Sequence, residues 1–269
     1  WGMELNWGDV DLVEELIKKI AYRDGIGNLL ADSMPMILDK LPPEAREYGF
    51  HIKGLSFSYN CEQAVAMSLA SSVATRGADH LKGHPFAAMI GLEDMLKQIF
   101  GDDLPEGTLD GASPVGKGRV VWWSENYKSL MDSLGICFIP VVSVDVFGDP
   151  IILFKEMGEI YEAVTGRSPE KLFEASERIY QLEKSFNALL GITRKDDIRT
   201  GTRRGKKDPI DHPGMLEEYY WYRGCSEDGV PTRKRLQEVG HSDVVVDLTA
   251  AGKIGERECP EIASLCNCS

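Results

Sequence analysis

Long apolar runs are missing from this sequence of 269 residues. A membrane-spanning helix needs roughly 18 or more consecutive apolar residues, and no stretch approaches that length. Basic residues are outnumbered, with 30 Lys and Arg against 43 Asp and Glu, for a net charge of −13. An acidic surface repels phosphate groups. The composition therefore argues against a membrane protein and against nucleic acid as a partner.

Cysteine is also scarce, and the six that occur are scattered along the chain. Small secreted proteins instead place cysteines in a regular disulfide framework. The N-terminal residues carry no basic segment followed by an apolar one, as a secretion signal would. These features predict a cytoplasmic protein. The first residue is Trp1 rather than Met, which predicts that the sequence starts inside a longer chain.

Most apolar residues recur at steps of three and four, the spacing of amphipathic helices. Asp9 or Asp11 can cap the first of them. The segment 61–75 carries small residues on every face, which predicts a buried helix because the backbone of a neighbour can approach closely. Further helices are predicted at 28–33, 89–100, 120–131, 150–165, 168–190, 214–222 and 231–239.

No repeat and no alternation of strands with helices is visible, so the predicted fold class is all-α and multihelical. The helix at 168–190 is expected to start with Ser168 as its N-cap. Its inner face is expected to carry Leu172, Ile179, Leu182, Phe186 and Leu189. The valines at 244–246 favour a strand, and the segment 241–269 is predicted to be a tail, loosely packed or disordered.

Two short segments carry the residue types of a functional site. The first contains Arg76, Asp79, His80 and Lys82 just after the predicted buried helix. A basic cluster at such a turn suits a phosphate or a pterin. The alternative is that the cations offset the negative end of the helix dipole.

The second segment is Asp132-Ser-Leu-Gly-Ile-Cys137. Asp132 is either an exposed residue at a helix end or an acceptor for the amino groups of a ligand. Gly135 permits a positive φ or a close approach of backbone to a ligand. Cys137 is either a buried structural thiol or a metal ligand.

In these segments the sequence resembles the aldehyde:ferredoxin oxidoreductase family of tungstopterin enzymes, which carries Arg-Gly-x-x-His-Leu and Asp-x-x-Gly-Leu-Cys there. Ile136 replaces the usual Leu. Similar matches begin at Trp7, at Glu177 and at Leu216, so the resemblance covers residues 1 to about 240. It implies the end of a helical middle domain at 1–49 and a helical C-terminal domain at 50–240.

The resemblance also implies functions for individual residues. His80 would be catalytic, as a donor to a metal-bound oxygen or to the substrate carbonyl. Cys137 would be one ligand of a [4Fe-4S] cluster, whose other ligands form a Cys-x2-Cys-x3-Cys group that this sequence lacks. The bis-pterin of tungsten or molybdenum would be contacted by Arg76, Lys82, Asp132, Gly135, Ile136 and Cys137.

The implied reaction is oxidation of a small aldehyde to a carboxylic acid, with ferredoxin as electron acceptor. A missing N-terminal half or companion subunit would complete the enzyme, and a homodimer is possible. The fragment alone would be inactive and would hold neither cofactor stably. The pair Trp122-Trp123 resembles the sequence of a family branch that includes benzoyl-CoA reductase catalytic subunits. This resemblance implies, as one alternative, a reductive reaction on an aryl-CoA. A non-catalytic helical scaffold is another.

The family carries Leu-Pro-x-Arg after the Asp196-Asp197 turn, and the basic segment 198–207 departs from that pattern here. A solvated surface loop is the simpler interpretation of such a run of charge. A docking site for an acidic ferredoxin is the alternative, because opposite charges steer association.

Overall fold

The computed structural model describes residues 4, 6–46, 48–56, 64–101, 104–139, 154–169, 171–198 and 213–265. Nearly all regular structure in these ranges is helical, which confirms the all-α prediction. No helix among these residues is long and apolar enough to cross a membrane. The helices are α1 (Val10–Tyr22), α2 (Ile26–Leu30), α3 (Met34–Lys40), α4 (Pro43–Arg46), α5 (Val65–Val73), α6 (Phe86–Ile90), α7 (Glu93–Phe100), α8 (Lys117–Leu134), α9 (Phe154–Thr165), α10 (Leu172–Leu189), α11 (Pro213–Arg223), α12 (Arg233–Glu238), α13 (Ser242–Ala250) and α14 (Ile262–Leu265).

Two short elements complete the described architecture. The strands β1 (His51–Ile52) and β2 (Leu55–Ser56) pair antiparallel as a hairpin. A 3-10 helix covers Arg194–Asp197, and Thr193 and Asp196 form a capping box at its start. The Asp197 carboxylate is buried against Lys53 Nζ at 2.5 Å, so this turn is pinned to the hairpin.

The core is built around α8, which packs against α5, α10 and α11. All nine residues of α5 are buried, as its small side chains predict. Trp122 of α8 is fully buried and contacts the Phe173 ring edge-on, with centroids 5.3 Å apart. Small residues on one helix and large aromatics on the next thus let the two helices pack closely at the centre.

Local signals placed some helix ends correctly and others not. Asp9 is the N-cap of α1 and accepts from the Leu12 backbone N–H at 3.0 Å, as predicted. The single helix predicted at 89–100 is wrong, because Gly91 has a left-handed φ of 73° and ends α6 before α7 begins. Lys171, not Ser168, is the N-cap residue of α10. Pro150 and Cys61, predicted at helix starts, lie outside the described residues.

The strand predicted at 244–246 is wrong, since these valines lie in α13. Val244, Val245 and Leu248 follow helical spacing and bury against Ala188 and Leu236. Downstream, α14 contributes Ile262 to the main core. The prediction of a loosely packed tail therefore does not fit residues 241–265. Cys266 and Cys268 lie outside the described part.

The predicted inner face of α10 is wrong except at Leu172, which packs against the main core. Its apolar residues are exposed over 37% to 62% of their surface at Ile179, Leu182, Phe186 and Leu189. The buried face instead carries polar and aromatic side chains. These are Phe173, Ser176, Glu177, Tyr180, Gln181, Lys184, Ser185 and Ala188.

A buried network of charges explains this reversal. Arg223 donates to Glu125 at 2.6 Å and to Glu177 at 2.5 Å, and all three side chains are fully buried. Arg235 donates to the other Glu177 oxygen at 2.9 Å. Burial opposes ionisation of Glu177, but the two arginines outweigh it and lower the pKa of that carboxyl.

Candidate functional site

The two segments that the sequence singled out lie side by side. We call residues 74–84, which follow α5, the site loop, and residues 132–138, at the end of α8, the α8 turn. The His84 ring of the site loop contacts the Phe138 ring of the α8 turn, with centroids 4.8 Å apart. The hydrogen bond that Arg76 donates to Asp79 raises the pKa of Arg76, and the nearby carboxylates of Asp132 and Glu183 add to the effect. Residues some fifty positions apart in sequence thus form one region.

The shape of the site loop is fixed by its own side chains and by the hairpin. Asp79 accepts from Arg76 Nε at 2.6 Å and from the Leu81 N–H at 2.9 Å. Gly77 has a φ of 116°, and a Cβ there would lie 2.8 Å from the Ile52 carbonyl oxygen. A glycine is therefore required where the loop crosses β1.

Helix α10 holds the site loop from the other side. Glu183 accepts from Thr75 Oγ1 at 2.6 Å and from Lys82 Nζ at 2.7 Å. Asn187 donates to the Thr75 carbonyl oxygen at 2.6 Å. Lys82 Nζ also lies 5.6 Å from the centre of the Tyr180 ring, whose hydroxyl donates to buried Glu125. The loop is thus tied to the central charge network.

The basic cluster predicted in the site loop is largely neutralised. Arg76 pairs with Asp79, and Lys82 pairs with Glu183. Paired cations attract an anion less strongly than free ones. The loop is therefore better suited to directed hydrogen bonds than to capture of a bare phosphate.

The α8 turn presents three potential ligand contacts to solvent. Asp132 is exposed and pairs with Lys128 one helical turn earlier. Gly135 ends α8 with a φ of 71°, and the space a Cβ would take there is open. Ile136 bonds back to the Met131 carbonyl at 2.9 Å, which turns Cys137 outward as an exposed free thiol. The interpretation of Cys137 as a buried structural thiol is therefore wrong.

These residues fit one edge of a large cofactor. An exposed carboxylate, an open glycine and an exposed thiol can together meet a pterin and one corner of a cluster. Within the described ranges, no group of three or more His, Cys, Asp or Glu residues could hold a metal ion. The remaining free cysteines there, Cys225 and Cys259, are buried. Cys137 can therefore supply only one of the thiolates that a cluster requires.

His80 lies within the site loop, near His84. Its side chain is partly buried, and its ring centroid is 6.3 Å from that of His84. The site loop, which carries His80 and Lys82, and the α8 turn, which carries Asp132 and Cys137, are thus neighbours in the fold. The functions assigned to these residues stay predictions.

Comparison with known proteins identifies the family. A sequence model described as "Aldehyde ferredoxin oxidoreductase, domains 2 & 3" matches residues 1–240. The chain belongs to this family. It is 24% identical over 245 residues to the tungsten-containing aldehyde ferredoxin oxidoreductase of Thermococcus kodakarensis, covering 87% of this chain and 37% of that protein. The enzyme of the same name from Pyrococcus furiosus is 25% identical over 247 residues, with the same coverage of both chains.

Other relatives in the family carry different names. The aliphatic sulfonate oxidoreductase, WOR-like subunit, of Pyrococcus furiosus is 24% identical over 265 residues, covering 89% of this chain and 36% of that protein. Among solved structures, the benzoyl coenzyme A reductase active site complex BamBC with 1,5-dienoyl-CoA aligns with a TM-score of 0.68. That match has 19% identity and covers 95% of this chain and 42% of that chain. The structural match shows the fold. The chain spans little more than a third of its relatives' length.

Sequence reasoning missed the residues that position the site in this family member. The sequence motif that contains Glu183 and Asn187 indicated the fold and gave these residues no function at the site. Both side chains nevertheless hold the site loop. His84 was given no function, and it borders both segments. Helical spacing gives no sign of contacts across a hundred residues. Glu183 and Asn187 are half-buried at the border between the exposed apolar stripe and the buried face of α10, and their polar side chains at that border were the available signal.

Proposed function

We propose that the chain is the C-terminal part of a tungsten or molybdenum bis-pterin, iron–sulfur oxidoreductase that oxidises aldehydes to carboxylic acids, with ferredoxin as electron acceptor. The observation that carries the proposal is the contact between the site loop and the α8 turn, which gathers His80, Lys82, Asp132 and Cys137. Membership of the family supplies the class of reaction.

Each of these residues has a definite part in the proposal. The bound metal and its pterins supply the redox chemistry. Asp132 accepts hydrogen bonds from pterin amino groups, and Glu183 holds Lys82 for a pterin contact. Cys137 provides one thiolate of the cluster. His80 donates a hydrogen bond to the substrate carbonyl and thereby polarises it.

Aldehyde oxidation is preferred over reduction of an aryl-CoA. The relatives at 24% and 25% identity are named for aldehydes, whereas the benzoyl-CoA reductase complex shares 19% identity and supports the fold alone. The remaining partners follow from the same proposal. They are ferredoxin and either the N-terminal half of the enzyme or a companion subunit. The complete enzyme would assemble in the cytoplasm, as a monomer or as a homodimer.

The test uses the full-length protein from its source. Wild type, His80→Ala and the control His51→Ala in β1 are assayed for metal content and for turnover of aldehydes and of benzoyl-CoA. We expect tungsten or molybdenum in all three. His80→Ala should lower kcat about 100-fold or more, the usual contribution of a positioned proton donor, while His51→Ala should not. A fully loaded His80→Ala enzyme with wild-type turnover would remove His80 from the mechanism. Turnover of benzoyl-CoA alone would establish the reductive alternative.

A further inference from the structure

A small cavity lies where the end of the site loop meets the α8 turn. Its volume is about 20 Å³. The wall is mainly aromatic and apolar, and its aromatic side chains besides His84 are Phe86, Phe100, Trp123, Tyr127 and Phe138. His84 is the lining residue that also faces His80 in the candidate site. The cavity therefore adjoins the residues to which the proposed function assigns the chemistry.

One polar atom in this apolar wall has no partner. Nδ1 of His84 is buried and makes no hydrogen bond. Burial lowers the pKa of His84 to about 4, so the imidazole is neutral at physiological pH. A buried polar atom left unpaired destabilises a protein, and native structures hold few of them. A bound ligand that supplies the missing partner would account for this atom.

The size of the cavity limits that ligand. A cavity needs roughly 10–15 Å³ to hold one water, and about 150 Å³ was needed to bind benzene in an engineered protein. The 20 Å³ here therefore admits one small group and no aromatic ring. A buried water requires two to four polar partners. The wall also contains the Ser124 and Tyr127 side chains, and the Ser124 hydroxyl already donates to the Val120 carbonyl at 2.8 Å. Among the lining side chains, Nδ1 of His84 is the buried polar atom without a hydrogen bond.

We propose that this cavity is a subsite for the hydroxyl group of a short hydroxyaldehyde substrate, with His84 as a specificity-determining residue. The proposal rests on the proposed oxidation of aldehydes and names the class of aldehyde. A hydroxyl group fits a cavity with room for about one water, and it brings the hydrogen bond that Nδ1 lacks. Its short carbon chain contacts the apolar wall. A neutral imidazole can donate or accept at Nδ1, so it suits a hydroxyl in either direction.

Two isosteric probes separate this proposal from simple apolar binding. Glycolaldehyde and propanal have the same number of heavy atoms and differ by a hydroxyl in place of a methyl. In the full-length enzyme we expect kcat/KM for glycolaldehyde to exceed that for propanal about tenfold or more, since sites that pair a hydroxyl reject analogues without one. In His84→Phe the preference should vanish or reverse. The control His51→Phe should leave the ratio unchanged.

A second measurement does not depend on turnover. Glycolamide and propionamide are unreactive analogues, and their dissociation constants can be measured directly on the same full-length variants. Tighter binding of glycolamide that His84→Phe abolishes supports the subsite, even if no aldehyde is oxidised and the proposed function fails. Active enzyme that prefers propanal, or a preference unchanged in His84→Phe, overturns the subsite and leaves the proposed function standing.

Discussion

Glu183 and Asn187 place the site loop through three hydrogen bonds. Glu183 neutralises Lys82 and accepts from Thr75, while Asn187 donates to the Thr75 carbonyl. A loop without regular structure has few other means of keeping its shape. The position of His80, which lies in this loop, therefore depends in part on Glu183 and Asn187.

Replacing Glu183 with Ala should loosen the site loop without unfolding the protein. The lost bonds are each worth about 1 kcal/mol, so amide hydrogen exchange at residues 75–82 should accelerate roughly tenfold. Hydrogen exchange followed by mass spectrometry measures this directly. Glu162→Ala on exposed α9 is the control and should change nothing in the loop. Equal exchange in both variants would show that the loop is held by other contacts.

His84 should make the protein sensitive to mild acid. Its pKa falls from 6.5 to about 4 on folding because the ring is buried. Between these values the unfolded chain binds a proton that the folded chain excludes, so the free energy of unfolding decreases as pH falls from about 6.5 to 4. The loss attributable to His84 is up to about 3 kcal/mol.

The comparison with His84→Phe isolates this effect from other titrating groups. Urea unfolding at several pH values gives the free energy of unfolding of each protein as a function of pH. The two pH profiles should run parallel above pH 7 and separate below it. The wild type should lose more stability than the variant. Parallel curves down to pH 4 would mean that His84 is protonated freely in the folded state.

At the scale of elements, α10 shows that the spacing of apolar residues can predict a helix without predicting which of its faces is buried. A stripe of apolar residues at steps of three and four is typical of a helix's buried face, and here that stripe is exposed. The buried charge network determines which face of α10 points to the core. Arg223 and Arg235 are buried there and pair with the Glu177 carboxylate, so the face that carries Glu177 has to be the buried one. A single helix carries no information about which of its faces the partners require.

Adjacent residues of α10 allow a reciprocal test. Leu182→Gln changes an exposed position and should cost less than about 0.5 kcal/mol. Gln181→Leu removes donors to the Arg223 carbonyl at 2.6 Å and to Glu177 at 2.9 Å. Leaving these buried acceptors unpaired should cost about 1–3 kcal/mol or more. Urea unfolding of the 269-residue chain measures both. The opposite ranking would mean that the apolar stripe faces the core.

Arg223 is the residue on which the buried network depends most. Arg223→Met leaves Glu125 and Glu177 without their shared cation, and uncompensated buried charges typically cost about 3–5 kcal/mol. Arg194→Met is the matched control, because the Arg194–Glu217 pair is partly exposed and such pairs contribute about 1 kcal/mol or less. The melting temperature of Arg223→Met should lie many degrees below that of Arg194→Met in thermal unfolding. Similar melting temperatures would mean that the network adds nothing to stability.

Other elements separate what local sequence determines from what it does not. The Asp9 cap and the small residues of α5 were sufficient to predict α1 and a buried helix, because these signals act within one element. Val244 to Val246 suggested a strand through their branched side chains, but helical spacing lets Val244, Val245 and Leu248 reach one hydrophobic cluster. Tertiary packing outweighs the weak intrinsic preference of three residues.

At the scale of the whole molecule, the candidate site could be predicted only in part. The motifs gave His80, Lys82, Asp132 and Cys137, and the fold brings the two segments that carry them together. The supporting contacts and the cavity beside His84 could not be predicted, since they depend on the packing of α8 and α10 against the site loop. Exposed apolar residues on α1, which has no buried residue, agree with a chain that spans little more than a third of its relatives' length.

The most direct measurement of the central claim is elemental analysis of the full-length protein purified from its source, as wild type and as Cys137→Ser. The account predicts about one tungsten or molybdenum and about four iron atoms per wild-type chain, with iron strongly reduced in Cys137→Ser because a cluster ligand is lost. Ser133→Ala in the α8 turn is the control and should retain both metals. Wild-type protein without tungsten, molybdenum or iron would contradict the account.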